Sequence, residues 1–397
     1  MRFLRRELLS AGAAVATITA TGNVFAQNAP PPAPETPGTA GSLPNNEKRL
    51  RIINLRDLEA EAQKVMAPYG FAYVSGGAGD EWTMRENLAA FNRTVIVPSY
   101  LSGNGTPDTG TEILGSKIPF PVISAPVGYQ GSMHAQKELP TVKGAGLAGT
   151  LYVTSSVSQM TLEDIAVGGN GDKWFQIYIP ASRPFATEML QRAKAAGYKA
   201  IVVTVDATVT SNRERTTRLL GVPLPNLALG NVPKTPGVTG SAMAMKAELT
   251  WDDVAFCRKE SGLPVVVKGI LSSAQALEAE RHGCAAVWLS NHGGRQLDNT
   301  PSALTVLPRV ATALNGRLPI IIDGGFYRGQ DVFRALALGA NIVALGRPLL
   351  YASALGGAQG VQSAYEHLKN ELVMTMQLAG TSTIKRIVAE CVERAEV

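Results

Sequence analysis

The chain is poor in cysteine. Its 397 residues include only Cys257, Cys284 and Cys391, an odd number with no CxxC spacing. That excludes a disulfide framework and a cysteine zinc motif, and even in an oxidising compartment at least one of the three should be buried and free. Charge is sparse as well. Asp, Glu, Lys and Arg make up 17% of the sequence, and the net charge of +5 is scattered, with no long Lys/Arg run and no basic–aromatic interleaving. This gives little support to nucleic-acid binding. Past residue 26 no apolar run is long and charge-free enough to span a bilayer. The run Gly168-Gly169-Asn170-Gly171 precedes an apolar segment instead of following one, so it reads as a loop and not as a dinucleotide fingerprint. No spacing of ligand residues points to a metal, and His134, His282 and His367 stand in no motif and read as structural.

What is present begins with an address. MRFLRRELLS carries Arg2, Arg5 and Arg6, and the weakly apolar AGAAVATITATGNVFA that follows ends in Val24-Phe25-Ala26. This is the layout of an export signal with a small-residue cleavage site. Adjacent Arg5-Arg6 with Leu8-Leu9 resembles a twin-arginine signal, which would place the protein in the periplasm. A Sec-type signal or an uncleaved anchor is the alternative. Twin-arginine routes export proteins already folded around a cofactor. Losing residues 1–26 removes three Arg and one Glu and leaves a net charge of +3. Residues 27–47 are rich in Pro, Gly and Ala and read as a tether.

From residue 48 to residue 397 the pattern is regular, and 45% hydrophobic content supplies ample core. Asn54 is placed to cap a helix, LRDLEAEAQKVM. Eight short apolar runs then alternate with helical segments: 120–124, 151–154, 173–178, 200–205, 264–267, 285–289, 319–323 and 341–345. RPFATEMLQRAKAAG and SAQALEAERHG are typical of the helices, each ending in a Gly suited to a C-cap. Continuous apolar strands imply burial on both faces. Eight such β-α repeats predict a TIM (β/α)8 barrel with an N-terminal helical segment; a doubly wound sheet is the alternative. After the fourth strand, residues 207–250 form a connection rich in Gly, Pro and Thr, long enough to read as a lid.

Barrel enzymes work at the C-terminal ends of their strands. Here those ends carry Pro126-Val127-Gly128, Ser155, Gln176 with Tyr178, Thr204 with Asp206, Lys268, Ser290 through Arg295, Asp323-Gly324-Gly325 and Gly346-Arg347. Stability requires none of this polarity. Glycines after the last two strands suit a phosphate, with Arg347 adding charge. Gln176, Thr204 and Lys268 could face a flat polar ring. His292 has the range of a general base, Asp206 could orient it, and Arg213 and Arg295 could clamp a carboxylate.

At this point a family resemblance enters. SNHGGRQLD at 290–298 closely resembles the signature of FMN-dependent 2-hydroxy-acid oxidases and dehydrogenases, and essentially the whole chain after residue 50 follows that family. FAYVSGGAGDEWT, TPDTGTEILG, APVG, WFQIY, TVDATVTSNRER, GLPVVVKGI, DGG, ALGRP and ALGGAQG all match, several of them closest to lactate oxidases. The resemblance implies FMN as cofactor and an (S)-2-hydroxy acid as substrate. The acceptor would be O2, giving peroxide, with a quinone or cytochrome as the alternative; a tetramer is also implied. His292 would take the substrate's proton and Asp206 would pair with the protonated histidine. Tyr73, Tyr178, Arg213 and Arg295 would hold the acid. Lys268, Ser155, Gln176, Thr204, Ser290 and the backbone of 126–128 would face the flavin. Asp323 would hold the ribityl chain, and Gly324, Gly325, Arg328, Gly346 and Arg347 the phosphate. A non-redox phosphate-ligand barrel or a silent binding protein would leave His292 and the paired arginines without a task.

Four positions depart from the family pattern. Tyr327 stands where an Arg is usual, so Arg328 or backbone amides are expected to carry more of the phosphate. Gly128 replaces Ala and Val157 replaces Trp or Tyr, and the segment between Asp206 and Trp251 has no aromatic residue. These changes predict extra room at Gly128 and a pocket for an acid bulkier or more aliphatic than lactate.

Overall fold

The computed structural model describes residues 43–219, 228–232 and 244–395. Three short helices lead in: α1 (Asp57–Val65), α2 (Pro68–Ser75) and α3 (Trp82–Ala89). The strand β1 (Thr94–Ile96) pairs with the far end of the chain, β12 (Val392–Arg394), and a hairpin follows, β2 (Thr111–Ile113) and β3 (Ser116–Ile118). Then comes the barrel: β4 (Val122–Ser124), β5 (Tyr152–Ser155), β6 (Lys173–Ile177), β7 (Ile201–Thr204), β8 (Val265–Ile270), β9 (Ala286–Leu289), β10 (Ile320–Asp323) and β11 (Ile342–Leu345). All eight expected runs form strands. Seven parallel ladders join them in the order β4-β11-β10-β9-β8-β7-β6-β5, and the Ser124 N–H to Leu151 carbonyl bond at 3.2 Å links the two ends.

Side chains alternate along each strand, and here both sets are apolar. One row, including Ile123, Val153, Trp174, Val202, Val266, Trp288, Ile321 and Ile342, fills the barrel interior with Ile113 and Ile118 of the hairpin. The other, including Val122, Phe175, Val203, Val267, Leu289, Ile322 and Val343, meets the helices. Burial on both faces is why the runs read as continuous.

The outer helices are α4 (Leu139–Leu147), α5 (Leu162–Val167), α6 (Arg183–Ala195), α7 (Glu214–Thr217), α8 (Trp251–Ser261), α9 (Ser273–Arg281), α10 (Ala303–Leu314), α11 (Gly329–Ala337) and α12 (Arg347–Leu378). Ser182, Ser272 and Ser302 cap α6, α9 and α10 through their hydroxyls, and Thr250 and Asp253 form a capping box on α8. Asn54 does not cap α1. It closes a turn just before it, its side chain accepting from Arg56 N–H at 3.0 Å and its carbonyl from Asp57 N–H at 3.1 Å.

The tether is shorter than the composition implies. The Pro44 carbonyl accepts from Ala135 N–H at 2.9 Å. Glu47 accepts from Ala358 and Gln359 N–H where α12 restarts after a break at Gly356-Gly357. The stretch from Pro44 onward therefore belongs to the folded body. Residues 1–42, on which the expected export signal falls, lie outside the described residues. Cys257 and Cys284 are buried and free. Among the described residues no helix is long and apolar enough to cross a membrane, and no cluster of ligand residues could hold a metal ion.

Candidate active site

The interior row of the barrel changes character at its C-terminal end. Continuing the alternation past Val153, Trp174, Val202, Val266, Trp288 and Ile321 brings in Ser155, Gln176, Thr204, Lys268, Ser290 and Asp323, all buried. They satisfy one another in two arcs. In one, Ser155 Oγ donates to Gln176 Oε1 (3.1 Å) and Gln176 Nε2 to Thr204 Oγ1 (2.9 Å). In the other, Lys268 Nζ donates to Ser290 Oγ (2.9 Å), which donates to Asp323 Oδ1 (2.8 Å). Trp288 Nε1 and Lys268 Nζ share Asp323 Oδ2 at 2.9 and 3.4 Å. A buried polar layer survives only when its members are hydrogen-bonded. Lys268 and Asp323 reach the cavity wall, and the other four underlie it.

An irregularity follows Lys268. Between Lys268 and Ile270 the β8–β9 register slips by one residue, and Gly269 takes φ +109. A Cβ there would sit 2.7 Å from Asp206 Cβ. Lys268 already points inward by the alternation of β8, and the bulge just past it, at a residue with no side chain, leaves room for Asp206.

Above this layer lies a cavity of about 390 Å³, of a size that suits a small-molecule site. Its wall includes Pro126, Val127, Gly128, Tyr73, Tyr178, Arg213, His292 and Arg295, together with Gly324, Gly325, Gly346 and Arg347. His292, Gly293 and Gly294 follow one another at φ 60, 66 and 74. A non-glycine residue in this region is strained by about 1–3 kcal/mol. The turn holds because Ser290 Oγ accepts from His292 N–H at 3.0 Å and Asn291 accepts from Gly294 N–H.

His292 Nδ1 lies 2.9 Å from Asp206 Oδ1, and its Nε2 lies 3.2 Å from the Tyr178 hydroxyl. With the proton on Nδ1 toward the carboxylate, Nε2 presents a lone pair to the cavity. Burial drives the imidazole below its ordinary value, Asp206 opposes this, and Lys268 and Arg295 reinforce it. The ring is therefore neutral at pH 7. Burial would raise Asp206, but the histidine beside it and Lys268 hold it below the usual carboxylate range. Burial keeps the Tyr178 phenol protonated and pushes Arg295 down to about 10, still cationic at neutral pH.

Both arginines are held by backbone. Arg295 Nη1 donates to the carbonyls of Tyr73 and Gly76, with its guanidinium 4.7 Å over the Tyr73 ring. Arg213 Nε donates to Ser211 Oγ and the Arg295 carbonyl, and its Nη2 to Gln296 Oε1 at 2.7 Å. Such pairs present the remaining N–H groups of a planar fork to a carboxylate.

Three expectations need correction. Arg328 does not line the cavity. Its Nη1 pairs with Glu371 Oε1 at 2.6 Å, and its own N–H and that of Tyr327 are used by Asp331 at the start of α11. Gly128 does not open space. A Cβ there would lie 2.4 Å from Val157 Cγ2 and 2.7 Å from its carbonyl oxygen, so Val157 already fills that position. Arg347 stays in the wall, but Nε, Nη1 and Nη2 donate to the carbonyls of Val74, Gly293 and Gly76, which spends most of its donors on protein.

The expected lid begins on the rim with Ala207, Val209, Thr210 and Arg213 and returns to it at Met245. Its middle is pinned by Asn231, which accepts from Leu162 N–H and donates to Ser158 Oγ. The remainder lies outside the described residues.

Sequence reasoning missed two residues. Tyr129 lines the cavity at φ 56, its ring edge-on to Tyr73 at 5.8 Å. Asn87 of α3 exchanges amide hydrogen bonds of 2.9 and 2.8 Å with Asn291, and its carbonyl oxygen would lie 2.3 Å from a Cβ at Gly325. One residue thus braces the turn that bears His292 and the glycines after β10.

The glycine turns fit a phosphate. Gly324 and Gly325 have φ 99 and 87, and their N–H groups, with that of Gly346, have no partner among the described residues. A side chain at Gly325 would meet backbone. A phosphate cradle and a polar floor with a buried ammonium share one cavity with a neutral histidine and two arginines. That combination marks the class: a barrel enzyme whose site suits a phosphate-bearing ligand and an anionic substrate.

The comparisons narrow that class. The family model described as FMN-dependent dehydrogenase matches residues 62–394, and the chain belongs to this family. It is 42% identical over 348 residues to an L-lactate oxidase of Lentilactobacillus hilgardii, covering 86% of this chain and 94% of that protein. A lactate oxidase of Pediococcus acidilactici superposes with a TM-score of 0.82 at 38% identity, covering 90% of this chain and 98% of the other. A mandelate oxidase crystallised with (S)-2-phenylpropionate gives 0.80 at 33% identity, covering 87% and 98%.

Proposed function

We propose that this protein oxidises an (S)-2-hydroxy acid, lactate or a bulkier analogue, to the 2-oxo acid, with FMN as cofactor and O2 as acceptor, giving hydrogen peroxide. The observation that carries the reading is His292 Nε2, set 3.2 Å from the Tyr178 hydroxyl and backed by Asp206 in a cavity that both arginines line. Arg213 and Arg295 bind the carboxylate, and Tyr73 and Tyr178 orient it and the hydroxyl. His292 Nε2 takes the substrate proton, and Asp206 stabilises the imidazolium that results. FMN, when bound, would take up the two electrons with the substrate's second hydrogen and pass both on to O2 as peroxide. Lys268 places positive charge at the polar floor, where it favours an anionic reduced ring. Gly324, Gly325, Gly346 and Arg347 would hold the phosphate.

The cavity wall supports the preference for a bulkier acid. Val157, Met245, Val209 and Tyr129 present apolar surface there, which suits an aliphatic side chain larger than a methyl group. The relatives' description as oxidases supports O2 over a quinone or cytochrome.

The test is direct. Purified protein is mixed anaerobically with a panel of 2-hydroxy acids and flavin bleaching is followed; air is then admitted. Bleaching followed by fast return of colour supports the oxidase, and slow return with fast dye reduction supports a dehydrogenase. No bleaching with any acid refutes the enzyme reading. A kcat/KM highest on lactate and falling steadily with side-chain length refutes the size preference.

Two further features belong to the proposal. Residues 1–26, with Arg5-Arg6, act as a twin-arginine-type leader to the periplasm; cytoplasmic recovery of the uncut chain would refute this. The folded protein assembles as a homotetramer, which light scattering checks.

A further inference from the structure

Cradles for phosphate usually combine bare backbone amides with cationic side chains, and this one is short of cations. Arg328 is turned away onto Glu371, and Arg347 donates to three carbonyls. In their place the wall after β10 carries Tyr327, whose hydroxyl has no hydrogen-bond partner among the described residues. Its ring is fixed from outside by the Arg56 guanidinium, 5.4 Å from the centroid. Glu59 of α1 lines the same cavity with no ion-pair partner among the described residues.

We propose that the Tyr327 phenol is the side-chain donor to the cofactor's phosphate, and that Glu59 weakens the positive field around it. FMN is then recognised by shape and neutral donors, since the nearby Arg347 already donates to three backbone carbonyls. The inference rests on the FMN assignment but adds a residue-level statement of how this chain holds the group. A neutral donor distinguishes FMN from riboflavin by one hydrogen bond to a charged oxygen. Removing it should cost about tenfold or more in affinity, with little dependence on salt.

The experiment titrates flavin-free protein with FMN and, separately, with riboflavin, following quenching of flavin fluorescence at low and physiological salt. Tyr327→Phe keeps the ring over Arg56 and should weaken FMN about tenfold or more while leaving riboflavin unchanged. Glu59→Gln should tighten FMN, more so at low salt, again without moving riboflavin. If Tyr327→Phe binds FMN as the parent does, or loses both ligands equally, the phenol has no phosphate role and the proposal falls. If Glu59→Gln leaves FMN affinity unchanged, its field term falls, and this arm stands even if the Tyr327 variant fails to fold. A parent protein that binds riboflavin but shows no preference for FMN would overturn the phosphate cradle itself.

Discussion

Replacing Asp206 with Asn tests the base directly. The carboxylate lies 2.9 Å from His292 Nδ1, and both side chains are largely buried. Opposite unit charges at that separation attract by about 6 kcal/mol at an effective dielectric of about 20. The amide oxygen of Asn still accepts a hydrogen bond, worth about 1 kcal/mol, and the site relaxes in part. A net loss of about 3–4 kcal/mol at the protonated-histidine stage corresponds to roughly 10²–10³-fold in kcat. KM should change little, because Arg213 and Arg295 are fixed by other groups. The pH profile supplies a sign. His292 must be unprotonated to act, and burial already sets its pKa below 6.5, with Asp206 pulling it up. Removing the carboxylate lets it fall further, so the acid limb of kcat/KM moves to lower pH even as the rate drops. Anaerobic stopped-flow flavin reduction across pH reads both effects, with the flavin spectrum as a folding control. A loss under tenfold, a KM effect alone, or an acid limb moving upward would refute the assignment.

Other perturbations have defined outcomes. Gly128→Ala drives a methyl into Val157 and should destabilise by about 1–3 kcal/mol; an unchanged melting temperature would show that the loop yields. Arg213→Leu removes charge-assisted hydrogen bonds and should raise KM by roughly 10–100-fold with flavin affinity intact; an unchanged KM in steady-state assays would take Arg213 out of the substrate site. Asn87→Ala removes the amide pair with Asn291 under the His292 turn but keeps the backbone carbonyl packed at Gly325. It should lower kcat with FMN affinity near that of the parent, and a fluorescence titration showing a matching loss of FMN affinity would refute this division.

The barrel was legible because every strand is buried on both faces, so β4 through β11 each stood out as an apolar run. β1, β2, β3 and β12 did not stand out, being three residues each and partly exposed. At the site, SNHGGRQLD and the strand-end polar residues were readable because no core needs them. Asn87 was not, since an Asn on a helix resembles a solvent-facing residue and its partner lies 204 positions away. Arg328 was misjudged because residue type gives charge and not direction; Glu371, far along the chain, decides where it points. Gly128 was misjudged because a missing side chain suggests a void in sequence, whereas here the side chain and carbonyl of Val157 occupy it.

The slipped register at Gly269 has a consequence for anyone redesigning this enzyme. The missing side chain at 269 admits Asp206 behind His292, one residue past the lysine of the polar floor. Basicity of the histidine is thereby tied to a residue with no functional group at all. Any side chain placed at 269 would press on Asp206, so β8 cannot be altered there without changing the base.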